Sequence, residues 1–167
     1  MAERRLFFAL WPADRQREQL REALRPVLTT IEGDAVDRRN WHVTLVFIGG
    51  FAEEQIPFLK AAAGEIAMEP IRLRLDRAEY WPGPRIATLV PRAVPPALEA
   101  LVRSLQDKLA LFDVAPEERL YRPHVTIARR VKAFEPVQLT RPLDLEWQEF
   151  ELVESVPAAA GVSYHPI

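Results

Sequence analysis

The sequence predicts an α+β fold, built as two similar lobes within one domain. Strand and helix patterns alternate along all 167 residues, a length that suits one domain with a buried core. A strand followed by a helix begins at Arg5 and again at Arg85, 80 residues later, and two His-Val-Thr strands are 82 residues apart. We therefore predict a single domain over 1–167, with pseudo-repeat halves at about 1–80 and 81–167.

The first half contains three predicted strands and two predicted helices. Residues 5–10 are an apolar run that predicts a buried strand, and 12–27 place leucines at helical spacing behind a proline. Residues 41–50 are an apolar strand that ends in a glycine pair. A second helix over 52–68 has acidic residues in its first turn, as the helix dipole prefers. Residues 71–81 alternate apolar and charged side chains, which predicts a half-exposed strand.

The second half repeats this order after a Pro-Gly-Pro turn. A strand is predicted over 85–90, an amphipathic helix over 95–112 and a further strand over 124–129. The segment 143–155 alternates apolar and polar residues, and together with 161–167 it completes the strands of the predicted sheets.

Composition excludes several classes of function. The formal net charge of −2 provides no overall basic field, so a nucleic-acid ligand would be a short piece or an end bound at a local patch. The absence of cysteine excludes disulfides, thiolate metal sites and a cysteine nucleophile. The N-terminal apolar run has only six residues, shorter than a signal peptide or a membrane span requires. We expect a cytoplasmic protein with no membrane association.

Two short motifs stand out, His42 with Thr44 and His124 with Thr126, each followed by an aliphatic residue. Residues i and i+2 of a strand share one face, about 6.5–7 Å apart, so each strand presents an imidazole and a hydroxyl together. A single His-x-Thr is usually structural. The chance that two of the three histidines are followed by this spacing by accident is roughly 0.004. This low value favours a functional pair.

Two imidazoles on separate strands suit displacement at phosphorus. The attacking and leaving oxygens lie on opposite sides of the phosphate, and histidine can serve as a base at one and as an acid at the other. The threonine hydroxyls can donate to the non-bridging oxygens. The residues alone do not say which histidine is the acid. The flanking residues are aliphatic, and glycine-rich nucleotide loops and a G-x-S-x-G elbow are absent, so we expect no metal and no cofactor.

With its two H-x-T-x motifs, the chain resembles the 2H phosphoesterase superfamily, and more closely its bacterial RNA 2′,3′-cyclic phosphodiesterase (LigT-like) branch. The similar segments are "RLFFAL", "NWHVTLVFIGG", "RPHVTIAR" and "YHPI". The resemblance implies a bilobal fold of two antiparallel sheets with outer helices, around a central cleft that carries both motifs. It also implies hydrolysis of the 2′,3′-cyclic phosphate ends of RNA or oligonucleotides to a terminal 2′-phosphate, without a metal. His42 would protonate the leaving 3′ oxygen and His124 would activate water.

The resemblance also implies an arginine that contacts the phosphate, five residues after the second histidine. That position is Arg129, whereas simple strand alternation puts Arg130 on the face of His124. We favour Arg129, on the assumption that the strand ends or bulges there, with Arg130 as the alternative.

Aromatic residues are the candidates for stacking on a nucleobase, since every base offers a π-face. We assign this role to Phe8, with Phe7 as the alternative and Trp81 as a second candidate, although the paired phenylalanines are equally well explained as core. His165 lacks a following threonine and is interpreted as an ordinary terminal residue.

Other functions remain open at this point. The substrate could be a small cyclic nucleotide or an ADP-ribose cyclic phosphate, the reaction could run in reverse as 2′–5′ RNA ligation, or the chain could bind RNA ends without catalysis. Two intact motifs favour an enzyme over a binding module. We expect a monomer.

Overall fold

The computed structural model describes residues 2–159 and 161–167, and this part of the chain folds into two antiparallel sheets and three α-helices. The strands are β1 (Glu3–Leu10), β2 (Asp34–Ala35), β3 (Val43–Ala52), β4 (Ile71–Trp81), β5 (Ile86–Pro91), β6 (Val125–Arg129), β7 (Val137–Trp147), β8 (Glu151–Ala158) and β9 (Gly161–Pro166). The helices are α1 (Asp14–Leu28), α2 (Ile56–Gly64) and α3 (Pro96–Ala110). The predicted α+β class with two antiparallel sheets is confirmed.

Both ends of the chain contribute to the first sheet, whose strand order is β3-β1-β8-β9. The second sheet has the order β2-β6-β5-β4-β7. The two motif strands therefore lie in different sheets, β3 in the first and β6 in the second. The placement of the pseudo-repeat halves stays a prediction, because β8 and β9 return to pair beside β1.

Two predicted elements differ from the structure. The helix predicted over 52–68 is shorter, because a 3-10 turn over Glu53–Gln55 precedes α2 and the helix ends at Gly64. The predicted strand over 143–155 is divided between β7 and β8, which belong to different sheets. Its alternation does not reveal the break because the three intervening residues include neither glycine nor proline.

Helices α1 and α3 each pack against one of the two sheets. Each motif strand has one face in the core and one face that is partly exposed. Helix α1 packs against β7 of the second sheet, and α3 packs against β3 of the first. Val43 and Val125, which follow the two histidines, are buried in the core at 0% and 1% exposure. Because side chains alternate along a strand, Thr44 and Thr126 point away from that core, where both are partly exposed.

Candidate active site

The ring of His42 is fixed at both nitrogens at the entrance to β3. Its Nδ1 lies 2.7 Å from the carbonyl oxygen of Asn40, and its Nε2 lies 2.9 Å from the hydroxyl oxygen of Thr44. Because a carbonyl oxygen only accepts, this network assigns the Nδ1 proton to the bond with Asn40. In the neutral ring Nε2 is then the basic nitrogen, and it accepts the proton of the Thr44 hydroxyl.

The ring of His124 repeats this arrangement before β6. Its Nδ1 lies 2.8 Å from the carbonyl oxygen of Arg122, again two residues earlier in the chain. The same tautomer follows, with Nε2 left as the nitrogen for proton transfer. The two motifs therefore share a local hydrogen-bond geometry as well as a sequence, and each leaves Nε2 available for proton transfer.

Aromatic side chains lie against both imidazoles. His42 contacts three rings, with centroid distances of 4.8 Å to Phe7, 6.0 Å to Trp11 and 5.1 Å to Tyr164. His124 contacts Trp81 at 4.4 Å. These rings cover part of each half-buried imidazole, and within the described residues Nε2 of each has no backbone partner.

Burial lowers the pKa of both histidines. The pKa of His42 falls to about 4, chiefly because the ring is removed from water; the Asn40 carbonyl opposes this shift, and the charges of His124, Arg17 and Arg129 add to it. Burial is also the main cause that lowers the pKa of His124, followed by the charges of Arg122 and Arg129. Burial therefore favours the neutral form of both rings. A bound phosphate anion would offset the positive charges and raise both pKa values.

Asn40 connects His42 to the last strand of the first sheet. Its side-chain amide donates to the carbonyl of Val162 at 3.0 Å, and its side-chain oxygen accepts from the backbone N–H of Tyr164 at 3.2 Å. The same residue therefore binds the edge of β9 through its side chain and His42 through its backbone. Sequence reasoning missed this role, since the partners are more than 120 residues apart.

Arg17 of α1 contacts the backbone immediately before β3. Its guanidinium donates to the carbonyl of Trp41, the residue before His42, at 2.9 Å. It also lies over the ring of Trp11, 4.7 Å from the centroid. Arg17 is buried. The sequence does not reveal its contact with Trp41, because the position of Arg17 fits the helical pattern of α1 and carries no other signal.

A β-bulge determines which of the two candidate arginines shares the strand face of Thr126. On β6, Thr126 lies opposite Thr88 of β5, whereas Ala128 lies opposite the adjacent residue Ala87. One extra residue is therefore inserted in β6, and the side-chain alternation shifts by one position. Because of this shift, the side chain of Arg129 lies on the same strand face as that of Thr126. This is the arrangement expected from the sequence if the strand bulges.

Arg130 is engaged elsewhere. Strand β6 ends at Arg129, and Arg130 has a φ of 51° and donates to the carboxylate of Asp34 at 2.6 Å. The positive charge of Arg129 contributes to the lowered pKa of both histidines.

The assignment of Phe8 to base stacking is corrected by the structure. Phe8 is 1% exposed and packs edge-to-face against Phe150, with ring centroids 5.6 Å apart, inside the main core. Its ring is not available to a ligand. Because alternate residues of β1 point to opposite faces, Phe7 is the one that lies beside His42.

A cavity of about 860 Å³ opens beside the two motifs and is lined by residues of both sheets. Thr44 and His124 lie at its wall, together with Trp81 and Arg122. The guanidinium of Arg122 stacks over Trp81, 4.1 Å from the ring centroid, and pairs with the carboxylate of Glu79 at 3.7 Å. An aromatic ring with a stacked arginine is a surface that suits a nucleobase.

The described residues contain no group of three histidines or carboxylates arranged to hold a metal ion. The expectation that no metal or cofactor takes part stays a prediction. No helix in the described ranges is long and apolar enough to cross a membrane.

Comparisons with known proteins agree with this geometry. Residues 10–90 match the profile of the LigT-like phosphoesterases. The RNA 2′,3′-cyclic phosphodiesterase of Escherichia coli is 30% identical over 98% of this chain and 93% of its own length. The enzyme of the same name from Thermus thermophilus is 30% identical over 96% of this chain and 86% of its own. The crystal structure of E. coli LigT with 3′-AMP superposes with a TM-score of 0.88 at 28% identity, over 99% of this chain and 95% of that one.

Fold and motifs together define a phosphoesterase of the two-histidine class. Within that class the chain belongs to the LigT-like phosphoesterase family, as the match to the E. coli enzyme over nearly its whole length establishes. The resemblance predicted from the two H-x-T-x motifs is confirmed.

Proposed function

We propose that this protein hydrolyses the 2′,3′-cyclic phosphate ends of RNA or oligonucleotides and leaves a terminal 2′-phosphate. The observation that carries the proposal is the repeated geometry of His42 and His124. Each ring donates its Nδ1 proton to a backbone carbonyl and keeps Nε2 for the substrate, and the two motifs, which begin strands of different sheets, contribute Thr44 and His124 to the wall of one cavity. The relatives that share almost the full length of the chain carry the name of this activity.

The reaction needs one base and one acid on opposite sides of phosphorus. His124 accepts a proton from a water molecule, whose oxygen forms a bond to phosphorus. The bond between phosphorus and the 3′ oxygen breaks, and His42, which is protonated at Nε2 once the phosphate anion has raised its pKa, gives that proton to the oxygen. The phosphate stays on the 2′ oxygen, and proton exchange with solvent restores both rings.

Charge accumulates on the non-bridging oxygens while these bonds change. The hydroxyls of Thr44 and Thr126 lie on the same strand faces as the histidines and donate to those oxygens. Arg129 supplies a positive charge on the face of Thr126. In this role the Thr44 hydroxyl exchanges its bond to His42 for one to the phosphate.

The nucleoside next to the phosphate is assigned to the surface formed by Trp81 and the guanidinium of Arg122, beside His124. Stacking on an aromatic ring accepts any base, which fits an enzyme that acts on ends rather than on a sequence. Smaller cyclic phosphates would meet the same catalytic groups.

The test is incubation with an oligonucleotide that ends in a 2′,3′-cyclic phosphate, in the presence of EDTA, followed by ³¹P NMR of the product. We expect full turnover under chelation and a 2′-phosphate as the product. Turnover of a small cyclic nucleotide alone would assign a different substrate to the site, and joining of two RNA ends would assign ligation. Binding without turnover would identify a non-catalytic module. Activity lost with EDTA and restored by a divalent cation would overturn the mechanism.

A further inference from the structure

A second aromatic surface lies beyond the catalytic groups, on the first sheet. Phe47 of β3 is 47% exposed, and the guanidinium of Arg5 lies over its ring, 5.6 Å from the centroid. We call this pair the outer platform. Trp81 with Arg122, which has the same construction, is the inner platform.

The outer platform shares a strand face with the catalytic motif. Ala9 of β1 lies opposite Thr44, and Phe7 lies opposite Phe47. Phe7 and Ala9 are two positions apart on β1 and share a face. Phe47 therefore points to the same side as Thr44, although it lies three positions later in the chain. The extra residue in β3 is a bulge, and it moves Phe47 to a position about 7 Å along the strand from Thr44.

The same cavity connects the two platforms. Thr44, Phe47, Trp81 and His124 all line it. A substrate whose cyclic phosphate lies at Thr44 and His124 therefore has an aromatic ring on either side, one for each of two successive nucleotides. The inner platform contacts His124 at 4.4 Å and suits the terminal nucleoside, which leaves the outer platform for its neighbour.

The charges on this surface favour one phosphodiester linkage close to Phe47 and disfavour the binding of further nucleotides. Arg5 is exposed and has no ion pair within residues 2–159 and 161–167. Gly50 lies opposite Arg5, and a Cβ atom there would lie 2.8 Å from a carboxylate oxygen of Glu3, which is two residues beyond Arg5 on β1. This carboxylate repels further phosphates, so the platform suits a single additional nucleotide.

We propose that Phe47 and Arg5 bind the nucleotide on the 5′ side of the terminal cyclic phosphate, Phe47 by stacking on its base and Arg5 through the linking phosphate. This rests on the proposed function and adds a preference for chains over mononucleotides. Phe47 and Arg5 determine substrate length and take no part in bond making or breaking.

The test compares kcat/KM for a nucleoside 2′,3′-cyclic monophosphate and for a trinucleotide that ends in the same group. Phe47→Ala should lower kcat/KM for the trinucleotide about 10-fold, as expected for loss of one base–aromatic stack, and should leave the mononucleotide within about twofold. Phe47→Leu keeps the apolar contacts of the fold without the π-face and should show the same split. Phe58→Ala is the matched control, since Phe58 is 63% exposed on α2 and lies outside the cavity.

Arg5→Gln should reduce the slope of log kcat/KM against log salt concentration by about 0.7 for the trinucleotide only. Equal losses on both substrates in the Phe47 variants, or no loss on either, would refute the outer platform while leaving the proposed function intact. Failure of the unaltered protein to hydrolyse either substrate would instead remove the proposed function, and this inference with it.

Discussion

Asn40 and His42 are joined by a hydrogen bond of 2.7 Å from Nδ1 of the ring to the backbone carbonyl, while the Asn40 side chain is bound to two backbone groups of β9. The orientation of one catalytic ring therefore depends on the last strand of the chain. Asn40 does not contact the reacting atoms in this account, and its role is to position His42.

Replacing Asn40 with Ala should reduce kcat about 10-fold with little change in KM, because the residue that holds the ring loses its anchor on β9. Stability should fall by about 1–2 kcal/mol through the two lost hydrogen bonds. Ser163→Ala is the control on the same strand, since it removes only the contact between Ser163 and His165. A variant with lost stability and unaltered kcat would show that Asn40 is a structural clamp alone.

Thr44→Val and Thr126→Val should slow the chemical step by up to about 10²-fold, as expected when one donor to a developing oxyanion is removed. Substrate binding should change little, because valine keeps the β-branched shape. Single-turnover kinetics separates the two effects.

Thr88→Val offers a contrast, since Thr88 lies opposite Thr126 but is fully buried and donates to the carbonyl of Glu79. It should affect stability more than rate. If the Thr44 and Thr126 variants behaved in the same way as Thr88→Val, their hydroxyls would be structural.

Arg129→Ala should reduce kcat/KM by about 10-fold or more, since it removes a charge-assisted contact to the phosphate. Arg130→Ala should leave turnover near normal, because that side chain is paired with Asp34. The two variants differ by one position and remove the same charge, so each controls for the other. Steady-state kinetics with the reverse pattern would place the phosphate contact on Arg130 and contradict the bulge argument.

The lowered pKa of His42 predicts a loss of stability in acid. Its pKa is about 4 in the folded protein and near 6.5 when unfolded, so its contribution is fully present above pH 6.5 and is lost as the pH falls through 4. Between pH 7 and 4 the unaltered protein should lose about 3 kcal/mol more than His42→Gln does. Urea unfolding at the two pH values measures this difference, with His165→Gln as the control. Equal losses in all three proteins would contradict the burial of the ring.

The elements and the two motifs were predictable from sequence because hydrophobic periodicity and His-x-Thr spacing are local properties. Phe7 and Phe8 show where this stops: both are apolar neighbours, and only the packing of β1 decides which one faces His42. Arg129 shows a second limit, since the bulge that turns it follows from pairing between β5 and β6. Asn40 shows a third, because its partners come from the far end of the chain.

The roles of His42 as the acid and His124 as the base are distinguished by the pH profiles of kcat for His42→Ala and His124→Ala. The unaltered enzyme should show a bell, since one ring must be protonated and the other neutral. Each variant should retain its fold and lose at least about two orders of magnitude in rate, with His165→Ala unaffected. The residual activity of His42→Ala should lack the alkaline limb, and that of His124→Ala should lack the acid limb. The opposite assignment of limbs would exchange the two roles, and an unchanged bell in both variants would contradict the account.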